Sequence, residues 1–189
     1  MHPNSSYNPA LAGEPAAREP TPHEPTPHEL IARLQLEPHP EGGWYREIHR
    51  SALLLQTGRG PRAALTSIYF LLEQGQQSRW HVVTSDEIWH HSCGAPLELL
   101  VYSPQTRELR RQLLGPVSGS PGDGPQREQQ PIGVVRAGEW QAARSLGAWS
   151  LMGCDVGPGF DFEDFSFVAS VAGHEAAFTG PLAAYSELL

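Results

Sequence analysis

The chain contains no lysine: all thirteen of its basic residues are arginine. Schiff-base chemistry and lysine general bases are therefore excluded. Cysteine is nearly absent, with only Cys93 and Cys154 in 189 residues. That is too few for a disulfide framework and fits a reduced compartment. Free cysteine most often packs as a small hydrophobe, so both are expected to be structural before they are redox-active. No apolar run approaches the roughly 20 residues that a membrane-spanning helix needs. The N-terminal residues lack the basic-then-apolar order of a secretory signal, and a cytoplasmic location is the expectation. Positive charge is also in deficit, with thirteen arginines against twenty-one acids and a net charge of −8. This disfavours nucleic acid polymers and anionic membranes as partners.

Proline is plentiful at the start. Residues 1–28 contain Glu19-Pro-Thr-Pro-His23, repeated as Glu24-Pro-Thr-Pro-His28. Proline at every second or third place blocks helix and sheet bonding, so this segment is read as a disordered leader. Residues 29–189 are enough for a single domain with one core. A short helix is expected over Glu29–Leu36, with Leu30, Ile31 and Leu34 on one face docking on the rest of the fold. From Gly43 on, the pattern is strand and turn, with strands expected at 44–51, 64–73, 78–83, 86–92, 97–103, 107–113, 132–136, 140–144, 148–156 and 160–169. Residues 115–131, rich in Gly, Pro, Ser and Gln, read as an exposed loop. Residues 181–189 read as a short terminal helix. So many strands and so little helix predict an all-β fold of two antiparallel sheets around a central pocket.

One stretch carries chemistry. Between Gly75 and Gly94 stand His81, Val83 and Glu87, with five residues from the first glycine to His81, three from Val83 to Glu87 and six from Glu87 to the second glycine. Alternation puts His81 and Val83 on one face of a strand, and a tight turn returns Glu87 to the same face from the next strand. By the same rule Trp89 and His91 share the face of Glu87, while Ile88 and His90 face away. A weaker echo lies at Gly138-Glu-Trp-Gln141, where Gln141 offers a neutral amide, a poor metal ligand and a good hydrogen-bond partner.

The Gly75–Gly94 spacing resembles the first metal-binding motif of the cupin superfamily, with Val83 where the second histidine stands, and Gln141 where the second motif ends in histidine. Further runs resemble one poorly characterised cupin family, the cupin type 5 family or domain of unknown function 985, sometimes labelled sugar-epimerase-like. These are Pro40-Glu-Gly-Gly43-Trp-Tyr45-Arg46-Glu47, Ser85-Asp86-Glu87-Ile-Trp89-His90 and Pro158-Gly-Phe160-Asp161-Phe-Glu-Asp164-Phe. The resemblance implies a cupin double-stranded β-helix, a jelly-roll barrel with short flanking helices, and a homodimer paired through sheet edges. It also implies that Val83 and Gln141 are inherited features. Two of four ligands are then lost, so no resident cofactor is expected. His81, Glu87 and Gln141 form the depleted set that a weakly bound divalent metal would use.

Three function classes follow. In the first, a metal-independent sugar or nucleotide-sugar epimerase or isomerase, His81 oriented by Glu87 is the base and Tyr45 or Tyr69 the returning acid. The second is a metal-dependent enzyme built on the depleted set, and the third a non-catalytic receptor for a nucleobase or nucleotide-sugar. In each the partner is a small polar metabolite. Trp89 would stack on it and Gln141 hydrogen-bond it. Phe160 and Asp161 are further candidate contacts, although Asp161 and Asp164 more often cap turns. Arg46 and Arg79 would hold its phosphate or carboxylate, unless they serve rim salt bridges.

Overall fold

The computed structural model describes residues 24–117 and 128–189. Most of the proposed leader and the centre of the proposed 115–131 loop lie outside the described residues. Helix α1 (Pro27–Leu34) is followed by β1 (Glu37–Pro38), β2 (Trp44–Arg50), β3 (Leu54–Thr57), β4 (Gly60–Ala63), β5 (Thr66–Glu73), β6 (Gln77–Val83) and β7 (Asp86–Gly94). Then come β8 (Leu97–Ser103), β9 (Glu108–Leu114), β10 (Gln129–Gln130), β11 (Ile132–Val135), β12 (Trp140–Ser145), β13 (Trp149–Gly157) and β14 (Phe165–Phe167). A short helix α2 (Glu175–Phe178) and a 3-10 segment (Ala183–Leu188) end the chain.

The strands form two six-stranded sheets, ordered β1-β2-β5-β13-β7-β11 and β10-β9-β8-β12-β6-β14, while β3 and β4 make a separate hairpin. All pairings are antiparallel except the short β9–β10 contact. Alternation explains the layering. On β5, Phe70 and Leu72 point between the sheets, where they meet Trp89, Leu97, Leu99, Val101 and Met152. Tyr69 and Leu71 point the other way, beneath Leu30 and Leu36 at α1. Strand β8 is buried along its whole length because its other face, Leu100 and Tyr102, is covered by Ala177, Leu182 and Leu188 of the C-terminal segment. Its acidic residue, Glu98, is neutralised by Arg111 and Arg144.

The all-β jelly-roll class is as expected, and the differences are local. Helix α1 starts earlier than the predicted Glu29, because Thr26 caps it in a reciprocal box with Glu29 and Pro27 fills its first turn. The hairpin β3–β4 was not foreseen; its Thr57-Gly-Arg-Gly60 turn gave no apolar alternation to read. The predicted 160–169 strand is a strap: a 3-10 turn at Phe162–Asp164, a strand only at Phe165–Phe167, and a second 3-10 turn at Val168–Ser170. The helix expected over 181–189 is a 3-10 segment, Ala183–Leu188, and α2, before it, was not foreseen. Gln129–Gln130, expected as loop, pairs with the end of β9.

Candidate functional site

A tight turn builds one wall of the site. His39 N–H donates to Gly43 O at 3.0 Å and Gly42 N–H donates to His39 O at 3.0 Å. Gly42 and Gly43 both have positive φ, and a β-carbon at Gly42 would collide with the Gln77 carbonyl. Only glycine allows this approach. The turn is pinned to β6 by Arg79 N–H to Glu41 O, 3.0 Å, and by the Arg79 guanidinium to Pro40 O, 2.9 Å. It thereby delivers His39 and Glu41 to one end of the barrel. They meet His81 and Val83 of β6, Glu87 and Trp89 of β7, Cys154 and Val156 of β13, Ile68 and Phe70 of β5, Tyr45 of β2 and Phe160 of the strap, around a cavity of about 40 Å³. One liquid water takes about 30 Å³, so the space suits a carbonyl-sized group. A larger open groove of about 630 Å³ beneath the C-terminal segment offers Arg107 and Tyr102 but no carboxyl or imidazole.

Hydrogen bonds fix the polar groups. His81 Nδ1 lies 2.8 Å from the backbone carbonyl of Arg79, and its Nε2 lies 3.3 Å from Glu41 Oε2. The Ser78 hydroxyl donates to Glu41 Oε1 at 2.8 Å. Opposite in the network, Trp89 Nε1–H donates to Gln141 Oε1 at 3.0 Å, and the Gln141 amide donates to Glu87 Oε2 at 2.6 Å. The Cys154 thiol also donates to Glu87. Phe165 stacks on the His81 ring at 5.3 Å.

Burial dominates the electrostatics. It raises Glu41 to about 8 against the pull of the Ser78 hydrogen bond and Arg79. It raises Glu87 to about 7, with the neighbouring His81 opposing and Glu41 adding. Burial lowers His81 while the Glu87 charge resists. Burial, with His81 second, lowers His39 to about 4. The Cys154 thiol is pushed well up by the same desolvation and by Glu87, which keeps it protonated.

The structure brings His81, Glu87, Trp89, Phe160 and Tyr45 to one cavity, with Gln141 one layer behind, joining Trp89 to Glu87. Tyr69 does not reach it. It lies on the outer face of β5 with the Arg46 guanidinium 5.7 Å over its ring, and Arg46 donates to Gln35 at 3.1 Å. Arg79 packs its guanidinium over Phe167 at 4.2 Å instead of lining the cavity. Asp161 caps the 3-10 turn by accepting from Glu163 N–H and faces an outer groove. Asp164 is clamped by Arg62 and Arg59. His91, opposite Met152, does not line the cavity and is satisfied by backbone, its Nε2 lying 3.2 Å from Ala95 O; the register of β7 shifts just after it. The partner of His81 is likewise different from the one expected: the Arg79 carbonyl sets its ring, and Glu87 acts on it through charge. Sequence reasoning missed His39, Glu41, Ser78 and Cys154. The signal for the first two was the Gly42-Gly43 turn after them; for Cys154 it was the alternation of β13.

The arrangement does not fit the depleted metal set of His81, Glu87 and Gln141. Gln141 Oε1 is taken by the Trp89 indole and Glu87 Oε2 by the Gln141 amide. Among the described residues no three His, Cys, Asp or Glu side chains converge as metal ligands.

Two sheets folded over an end cavity, entered by histidine and glutamate from consecutive strands, define a cupin barrel. The chain belongs to the cupin superfamily: the model of its DUF985 family matches residues 28–168. A hypothetical protein from Leishmania major is similar in structure, at 32% identity over 82% of this chain and 97% of that one, with a TM-score of 0.67. A protein from Shewanella oneidensis is similar at 31% identity over 88% of this chain and 98% of that one, with a TM-score of 0.72. No curated protein matches the chain.

Proposed function

We propose that the cavity transfers a proton at the carbon next to a carbonyl of a small polar metabolite, an epimerase- or isomerase-type reaction that uses no metal. The observation that carries this reading is the buried pair of His81 Nε2 and Glu41 Oε2, 3.3 Å apart at the cavity wall. Nδ1–H of His81 is committed to a carbonyl, so Nε2 carries the lone pair and is the base. Glu87, which favours the charged ring, stabilises the imidazolium once the proton arrives. Of the two candidate tyrosines only Tyr45 lines the cavity, since Tyr69 faces away, and its hydroxyl must leave Glu37 to return the proton. Among the described residues no arginine lines the cavity, so the reacting part of the substrate is uncharged, and any phosphate of a nucleotide-sugar stays outside it. The protein acts in the cytoplasm as a homodimer through the free edge of β11, where Ile132 and Val134 are exposed.

Incubation in D2O with a panel of hydroxy-ketones and keto-sugars tests the reading: label should enter next to the carbonyl. A receptor role is the second reading, supported by the small cavity and by hydrogen bonds already satisfied between Trp89, Gln141 and Glu87. It is favoured if a panel member binds and takes up no label.

A further inference from the structure

Two imidazoles line this cavity, and each is held by a backbone group that can bond in only one sense. A backbone N–H only donates, and Glu41 N–H points at His39 Nδ1, 3.3 Å away. His39 therefore has its lone pair at Nδ1 and its proton at Nε2. A backbone carbonyl only accepts, and Arg79 O faces His81 Nδ1. His81 therefore has the opposite tautomer, with its lone pair at Nε2. The two rings present a donor and an acceptor to one space.

The other donors lining the cavity are engaged. The Tyr45 hydroxyl bonds to Glu37, the Trp89 indole to Gln141 and the Cys154 thiol to Glu87. His39 Nε2 makes no hydrogen bond among the described residues. Its side chain is only 6% exposed, set edge-on against Tyr45 at 4.6 Å and Phe70 at 5.9 Å. Its N–H is therefore open to a ligand oxygen that enters the cavity.

We infer that His39 is a catalytic residue, the neutral electrophile that donates its Nε2–H to the carbonyl oxygen of the substrate while His81 removes the neighbouring proton. This rests on the proton-transfer reading. In the step the C–H proton moves to His81 Nε2 and the C–H electron pair becomes the C=C bond of an enolate. The carbonyl π pair moves onto oxygen, where the His39 N–H meets the new charge. Burial keeps the His39 ring uncharged at neutral pH, so the donor is an imidazole and no proton need be lost to reset it.

The test uses the full chain. In ¹⁵N-labelled protein, long-range proton–nitrogen correlation should show His39 protonated at Nε2 and His81 at Nδ1. Dihydroxyacetone labelled with ¹³C at its carbonyl should, when bound, show a carbonyl stretch lowered from its value in water. His39→Phe should return that stretch towards the free value and slow deuterium uptake on the order of 10²-fold or more. His39→Gln, which restores an N–H donor, should recover part of both. A proton on His39 Nδ1, no bound carbonyl band, or a shifted band indifferent to His39→Phe would overturn the inference. A shifted band that depends on His39 without any deuterium uptake would uphold the donor and remove the proton-transfer reading. Uptake as fast in His39→Phe as in the natural protein would do the reverse.

Discussion

Glu41 and Glu87 sit above the ordinary carboxylate range and His39 and His81 below the ordinary imidazole range, in every case with burial as the largest cause. The consequence for stability has a definite sign. The folded state holds protons on Glu41 and Glu87 that the unfolded chain releases above about 4.5, so their contribution is full below that pH and is lost as pH rises through about 7 and about 8. The histidines act oppositely, but for His39 only between about 4 and 6.5. Above pH 6.5 the carboxyls alone operate. The unfolding free energy should fall from pH 6.5 to pH 8 by at most about 1.4 kcal/mol per pH unit for each group, and the melting temperature with it. Glu41→Gln should flatten that fall, and a melting temperature that rises over the range would contradict it. His81 and Glu87 were legible in the sequence because their spacing reflects strand alternation. Glu41 was not, because a turn residue's direction depends on the backbone path through Gly42 and Gly43.

The strap behind the cavity is held by charge at one point. Asp164 accepts from Arg62 Nε at 2.8 Å and lies 3.0 Å from Arg59 Nη1, tying the β3–β4 hairpin to the chain end that carries Phe165 onto His81. Removing the carboxylate leaves Arg62 with only Glu163. Asp164→Ala should destabilise the strap and expose residues 160–168 to proteolysis before the rest of the barrel. Cleavage no faster than in the natural protein would show that the aromatic contacts hold the strap alone. The sequence misled at this element. Phe160 and Phe162, and again Phe165 and Phe167, stand at strand spacing, yet Phe162 opens a 3-10 turn capped by Asp161. The longer strands of the two sheets, by contrast, were readable to within about two residues, and β8 fills 97–103, as its apolar run requires; the two-residue strands β1 and β10 were not.

At the scale of the molecule, the layering followed from composition. Many short alternating runs can close only as packed sheets, and the outward apolar faces of β5 and β8 found covers in α1 and the C-terminal segment. Two exposed apolar side chains on the edge strand, Ile132 and Val134, lie beside Ile88 of β7, and the proposed homodimer uses this edge. Light scattering should give twice the chain mass for the natural protein and a single chain mass for Val134→Asp; a monomer from the start would remove the dimer. None of this reports the chemistry, because the same barrel serves many reactions. The most direct measurement is the rate at which deuterium from D2O enters the best hydroxy-ketone or keto-sugar of the panel, compared between the natural protein and His81→Ala. The account predicts measurable uptake that falls on the order of 10²-fold or more when the base is removed. Uptake at the same rate in both proteins, or none in the natural protein while that compound is bound, would contradict it.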